Sequence, residues 1–181
     1  MPLQETSGNV TTDAYGGGVA AVPNYIEDVF STYLYNANGS SQTITNGIDL
    51  STKGGLSWIK CRSNIYDNCL IDTVRGAGNI LVSNATTASA TYGGDSLTAF
   101  NTNGFSIGAN SQVNANFNTF TSWTFRKQPK FFDVVTWTGD GNATQTISHN
   151  LGSVPGCIIA KVTSTTEIGR ASCRERVSSP V

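Results

Sequence analysis

The sequence predicts an all-β fold, an antiparallel sandwich or barrel, and three observations lead there. Short apolar and aromatic segments recur at 8–15-residue spacing between Gly, Asn and Asp turns. Gly, Ser, Thr and Asn make up 78 of the 181 residues, the chemistry of turns and polar strand faces. No segment combines helical periodicity with good helix formers. Residues 84–95 are rich in Ala and Thr, but Thr86, Thr87 and Thr91 are weak helix formers and Gly93-Gly94 ends the run, so a loop is expected.

Taken in order, residues 1–28 are polar around Gly16-Gly17-Gly18 and read as a flexible arm. Val29 to Tyr35 is aromatic and β-branched, the first strand of a domain over 29–132. Asn38-Gly39 then supplies a turn that tolerates positive φ, and Gln42 to Ile48 follows as a strand. Leu56 to Arg62, Cys69 to Val74 and Asn79 to Ser83 are further strands, the last two separated by Arg75-Gly76-Ala77-Gly78. Leu97 to Phe100 and Phe105 to Ile107 flank Asn101-Thr102-Asn103-Gly104, a hairpin signal. Phe117 to Arg126 sets Phe120, Ser122 and Thr124 on one face against Thr121, Trp123 and Phe125 on the other. The basic cluster Arg126-Lys127-Gln128-Pro129-Lys130 marks a boundary, and Phe131 to Thr138 is expected to open a second unit over 133–166.

The second unit is suggested by an internal repeat. Tyr35-Asn36-Ala37-Asn38-Gly39, Gln42-Thr43-Ile44-Thr45 and Gly55-Leu56-Ser57-Trp58-Ile59-Lys60 find counterparts in Trp137-Thr138-Gly139-Asp140-Gly141, Gln145-Thr146-Ile147-Ser148 and Gly156-Cys157-Ile158-Ile159-Ala160-Lys161. A period near 100 residues is too long for a solenoid and implies tandem β units, the second incomplete.

Charge excludes several functions. Only 13% of residues are charged, the net charge is −1, and three of six arginines lie in residues 167–181. Without that segment the body is net −2, which argues against a nucleic-acid surface. No apolar run reaches membrane-spanning length, and Met1 to Tyr15 carries no secretion-signal pattern. The run Glu167-Ile168-Gly169-Arg170-Ala171-Ser172-Cys173-Arg174-Glu175-Arg176-Val177 resembles the translation of a short-read sequencing adapter. Residues 167–181 are therefore expected to be a non-native tail without ordered structure, and the natural chain to continue past Thr166.

Few residues suggest catalysis. The single histidine, His149, stands in Ser148-His149-Asn150-Leu151-Gly152, too tight a turn for a local Ser-His-Asp triad, and no Gly-x-Ser-x-Gly elbow occurs. Cys61, Cys69, Cys157 and Cys173 lack a Cys-x-x-Cys spacing and cannot complete a zinc set with one His. Cys61 and Cys69 could pair on adjacent strands, but free thiols are the simpler expectation. Asp67 with Asp72, and Asp133 with Asp140, are the carboxylates a glycosidase reading would use. For Asp72 an ion pair with Arg75 is the simpler account. Asn-x-Ser/Thr at Asn9, Asn38, Asn84 and Asn142 reads as turn chemistry. No cofactor or metal is expected. Trp58 and Trp123 are expected in the core. Tyr15, Tyr25, Tyr66 and Tyr92 stand in polar loops, and Tyr66 and Tyr92 are the candidates for surface binding.

Several motifs together resemble a known family. They are Gly55-Leu56-Ser57-Trp58-Ile59-Lys60, Leu70-Ile71-Asp72-Thr73-Val74-Arg75-Gly76, Leu81-Val82-Ser83-Asn84-Ala85-Thr86, Leu97 to Gly108, and Ser122-Trp123-Thr124-Phe125-Arg126. With Trp137 to Gly156 they resemble an uncharacterised domain of tailed-bacteriophage virion proteins, over about residues 29–166. The resemblance implies a concanavalin-like or jelly-roll-like β-sandwich serving as a tail-fibre or appendage component. It implies assembly in the host cytoplasm, residence in the virion, and contact with other virion proteins and host-surface glycans. It also implies a homo-oligomer in the intact protein, and it supplies no catalytic residues. A carbohydrate-binding lectin-like module is the competing expectation, and a tail-associated glycan-degrading enzyme a third.

Overall fold

The computed structural model describes residues 25–91, 95–164 and 170–173. In chain order the elements are α1 (Ile26–Val29), β1 (Phe30–Asn36), β2 (Gln42–Thr45), β3 (Gly55–Cys61), β4 (Asn68–Asp72), β5 (Asn79–Val82) and β6 (Ala90–Thr91). They continue with β7 (Leu97–Asn101), β8 (Gly104–Ile107), α2 (Ser111–Asn114), β9 (Thr119–Arg126), β10 (Cys157–Ala160) and β11 (Arg170–Cys173). A six-stranded antiparallel sheet in the order β1-β9-β3-β4-β5-β6 faces a three-stranded sheet in the order β2-β8-β7. The fold is an all-β sandwich, as the turn spacing and composition predict.

Alternation along each strand builds the core. In β3 the inward residues are Gly55, Ser57, Ile59 and Cys61, and every second residue faces outward. Ile59, Cys61, Cys69, Ile71, Ile80, Phe120 and Tyr35 from the large sheet meet Ile44, Leu97, Phe105 and Ile107 from the small one. Ile48, Leu50, Val113 and Ala115 close the ends. Two glycines are required by close approach. A Cβ on Gly55 would lie 2.1 Å from the Phe125 carbonyl oxygen, and one on Gly104, at φ +126°, would lie 2.0 Å from that of Ile44.

The strands of 29–132 stand near their expected places, with informative differences. Val29 belongs to the single helical turn α1, closed by Asp28 Oδ2 accepting the Tyr25 N–H at 3.0 Å. A second helical turn, α2, has no counterpart among the elements the sequence predicts. It starts where Asn110 Oδ1 accepts the Gln112 N–H at 2.9 Å. The 84–95 loop contains the two-residue strand β6, paired to Asn79 and Ile80. The Asn38-Gly39 turn does not close a hairpin, because β1 and β2 belong to different sheets; Gly39, at φ +66°, turns the chain across the sandwich. The Thr102-Asn103 turn does close one, between β7 and β8.

Two larger corrections concern the C-terminal region. Phe131–Thr138 and Gln145–Ser148, expected as strands, are irregular. Side chains fasten this stretch to the sandwich instead of a ladder. Phe132 stacks on Phe125 with centroids 5.1 Å apart, Asp133 pairs with Lys127 Nζ at 2.8 Å, and Asp133 also accepts the Asn150 N–H at 2.7 Å. Further along, Ser89 N–H donates to the Thr163 carbonyl and Lys161 Nζ to that of Ala85. Within 167–181, where no ordered structure was expected, Arg170–Cys173 forms β11, antiparallel to β10. A two-stranded ladder needs only extended backbone and not a period-2 side-chain pattern.

Candidate functional site

One end of the sandwich gathers the loops that follow β1, β3 and β8. At its centre is Asn114, fully buried at the end of α2. Its Nδ2 donates to the carbonyls of Ser40 (2.6 Å) and Gly108 (2.8 Å) and to Asn38 Oδ1 (3.2 Å), while its Oδ1 accepts the Asn38 N–H at 3.0 Å. One amide thus ties residues 38–40 to residues 108–114. Gln112 does the same for the β3–β4 loop: its Oε1 accepts the Asp67 N–H at 3.0 Å and its Nε2 donates to Asp67 Oδ2 at 3.3 Å. Asp67 Oδ1 accepts from Asn84 Nδ2 at 2.9 Å. Ser63 joins the same loop to the segment before β9, donating to Asn118 Oδ1 and accepting the Thr119 N–H, both at 3.0 Å.

These bonds hold two apolar side chains in water. Ile65, at the tip of the β3–β4 loop, is 98% exposed, and Phe117, before β9, is 94% exposed. Phe117 also adopts φ +64°, a left-handed conformation that costs a non-glycine residue roughly 1–2 kcal/mol. Its N–H donates to Asn116 Oδ1 at 3.0 Å, and Asn118 N–H closes a turn onto the Ala115 carbonyl at 3.2 Å. The tips are therefore presented by a braced scaffold.

Tyr66, a surface-binding candidate in the sequence, is half-buried. Its ring stacks on Phe120 with centroids 6.5 Å apart and packs on the core, so the neighbouring Ile65 takes the exposed position. Tyr92 and Tyr15 lie outside the described residues. Tyr25 is exposed beside α1, where Tyr25, Ile26, Pro129, Lys130 and Phe131 line a shallow depression of about 510 Å³.

Trp58 and Trp123, expected in the core, face outward on the large sheet. The inward parity of β3 and β9 belongs to Ser57 and Ile59 and to Ser122 and Thr124. The indoles are paired in register across β3 and β9, edge to face at 5.8 Å, and both are half-buried. Trp58 Nε1 donates to Asn68 Oδ1 at 3.2 Å. Register places Thr32, Trp123, Trp58, Leu70 and Leu81 in one row across five strands. Phe30 and Phe125 stand beside it with rings 4.9 Å apart.

The titratable candidates have structural partners. Asp72, buried, pairs with Arg75 at 2.6 Å and caps the Val74 and Arg75 N–H groups. Asp133 is pushed up by burial, but Lys127 and the N–H groups of Asn150 and Val134 outweigh that and hold it below the usual carboxylate range. His149 Nδ1 accepts the Leu151 N–H at 3.2 Å within its turn. Cys61 and Cys69 are buried free thiols; their strands are adjacent, but Cys69 stands opposite Ile59. Burial, with the nearby Asp67 carboxylate, pushes Cys69 up to about 12 against the opposing Lys60. Burial likewise raises Tyr35, whose hydroxyl donates to the Val113 carbonyl at 2.6 Å.

A family model, Domain of unknown function (DUF7483), matches residues 26–173. The chain belongs to the DUF7483 family. The match begins at α1, takes in both sheets of the sandwich and ends with β11, so one DUF7483 domain spans the sandwich and the region after Lys130. No curated protein and no solved structure matches the chain.

Proposed function

We propose that this DUF7483 domain is a structural and adhesive module of a tailed-bacteriophage virion, carried in a tail fibre or appendage, with its α2 end meeting the host surface. The carrying observation is the pair Ile65 and Phe117, two almost fully exposed apolar residues on loops braced to a rigid sandwich. A solvent-facing phenylalanine in a left-handed backbone contributes nothing to burial and costs stability, which fits a residue kept for contact. The resemblance of the Gly55–Lys60, Leu97–Gly108 and Ser122–Arg126 segments to phage virion domains supplies the setting. Other virion proteins and host-surface glycans are the partners.

The module is read as binding rather than catalytic. Asp67 and Asp72, a pair a glycan-degrading enzyme would need free, are engaged by Gln112 and Asn84 and by Arg75. Competition for host adsorption tests the reading. Purified protein should block particle adsorption, and Ile65→Ser with Phe117→Ser should weaken that block at least tenfold at unchanged thermal midpoint. Undiminished competition by the double variant defeats it.

A lectin-like module is the second reading, favoured by the half-buried indoles of Trp58 and Trp123 on the outer sheet face. Aromatic faces of this kind stack on sugar rings. Binding on a glycan array that disappears with Trp123→Ala supports it. Binding to no host glycan removes it.

A further inference from the structure

The large sheet ends on one side at β6, two residues long, and on the other at β1, seven residues long. In the small sheet β2 has four residues, and β7 is broken by a register shift between Leu97 and Ala99. Short or irregular edges discourage pairing with other chains. β1 has none of these safeguards. Its sequence, Phe30-Ser31-Thr32-Tyr33-Leu34-Tyr35-Asn36, contains no charge and no proline, and its pairing to β9 is unbroken. Thr32, Tyr33 and Leu34, at its middle, are all exposed, Leu34 by 57%.

The hydrogen-bonding phase of β1 follows from its neighbours. Ala37 N–H donates to the Asn118 carbonyl, so 37 with 118 is a hydrogen-bonded pair. Pairs of this kind alternate along an antiparallel ladder. Tyr35, Tyr33 and Ser31 therefore direct their backbone groups to β9, and Phe30, Thr32, Leu34 and Asn36 direct theirs to the open edge. Arg62 N–H donating to Thr119 gives the complementary phase on the β3 side of β9. Two of the outward groups are already satisfied: Phe30 N–H donates to the Ile26 carbonyl, and the Asn36 carbonyl accepts from Gln42 Nε2 at 3.2 Å. The Phe30 carbonyl, both groups of Thr32, both groups of Leu34 and the Asn36 N–H have no partner among the described residues.

We propose that β1 is a self-association edge, on which two copies of this chain pair β1 to β1, antiparallel, about a two-fold axis at Tyr33. The open groups are self-complementary in that register. Thr32 of each copy exchanges both bonds with Leu34 of the other, and each Asn36 N–H meets the other copy's Phe30 carbonyl. The two groups left over, Phe30 N–H and the Asn36 carbonyl, are those already bonded within the chain. An isologous pair of this kind closes on itself and joins the two large sheets into one of twelve strands, with their aromatic outer faces on the same side.

Sedimentation equilibrium of the full chain, carried to the highest soluble concentration, should show a monomer–dimer equilibrium. Thr32→Pro deletes an outward N–H while sparing the β9 ladder, and Leu34→Lys charges the edge; each should weaken dimerisation at least tenfold without changing the far-ultraviolet circular dichroism. Covalent trapping supplies the geometric test. In the central non-hydrogen-bonded pair the two Tyr33 Cα atoms come within roughly 4.5 Å, inside disulfide reach. Tyr33→Cys should form a 33–33 disulfide dimer under mild oxidation, located by peptide mapping, while Ser31→Cys, which faces Tyr35 of the other copy, should not. A chain that stays monomeric with no 33–33 bond overturns the proposal, as when residues 1–24 or a foreign strand own the edge. A dimer indifferent to both edge variants, or equal trapping at 31 and 33, also overturns it.

Discussion

Replacing Asn114 by Ala removes four hydrogen bonds from the point where three loops meet. Two of the freed groups, the Ser40 carbonyl and the Asn38 N–H, lie near enough to solvent to recover water. The Gly108 carbonyl does not, because its bond with Asn114 is buried. A stranded buried acceptor costs about 1–3 kcal/mol, and each remaining bond contributes roughly 0.5–1.5 kcal/mol before rehydration. The expected loss is about 3 kcal/mol, or roughly 6–12 °C in thermal midpoint for a domain of this size. Urea unfolding at fixed m-value gives the free energy directly. Asn114→Asp sharpens the test. It replaces the donating amide by an oxygen facing two carbonyls and the Asn38 amide oxygen, so at pH 7 it should destabilise more than Ala. A carboxyl so placed has its folded pKa raised, so part of the loss should be recovered as the pH falls and the group protonates. A loss under about 1 kcal/mol for Ala, or an Asp variant whose deficit does not shrink on acidification, would refute the view that Asn114 holds the loop end together.

Four further outcomes follow from the geometry. Gly104→Ala should cost more than about 3 kcal/mol in chemical unfolding, since its Cβ would meet the Ile44 carbonyl at 2.0 Å and its φ of +126° suits only glycine. Phe117→Asn should stabilise the domain by roughly 1 kcal/mol in thermal unfolding, because asparagine tolerates the left-handed backbone and an exposed ring loses no burial. Asp133→Asn should remove about 1–2 kcal/mol at pH 7 and flatten the acid limb of the stability profile. The folded pKa of Asp133 is depressed, so its contribution is present above the unfolded value near 4 and is lost as pH falls through the folded one. The Cys69 thiol should resist alkylation at pH 8 until the protein unfolds, since a pKa of about 12 leaves roughly one thiolate in ten thousand.

Much of the sandwich is legible in the sequence because its turns are chemically explicit. Asn101-Thr102-Asn103-Gly104 marks the β7–β8 hairpin, and the Asp72–Arg75 pair is visible from spacing alone. Strand parity is harder. In Leu56-Ser57-Trp58-Ile59 both faces carry apolar residues, so the size of tryptophan suggests the core while the pleat places it outside. Only the register against β9 shows that Ser57 and Ile59 point inward. The Asn38-Gly39 turn misleads for a similar reason: its chemistry fixes a reversal but not which sheet receives the next strand. At the loop end, Tyr66 is adjacent to the exposed position and not at it, and Ile65 and Phe117 give no sequence signal, because apolar residues normally indicate burial. The 133–166 region reads as strands from its β-branched residues, yet Asp133–Lys127 and Phe132–Phe125 fasten its start to the sandwich as irregular chain.

The most direct test of the proposed role is mass spectrometry of purified, nuclease-treated phage particles encoding this domain. Tryptic peptides spanning Gly54–Lys60 and Ser63–Arg75 should be present at a fixed copy number per particle, enriched over the infected-cell lysate. Their presence in the lysate and absence from intact particles would contradict it.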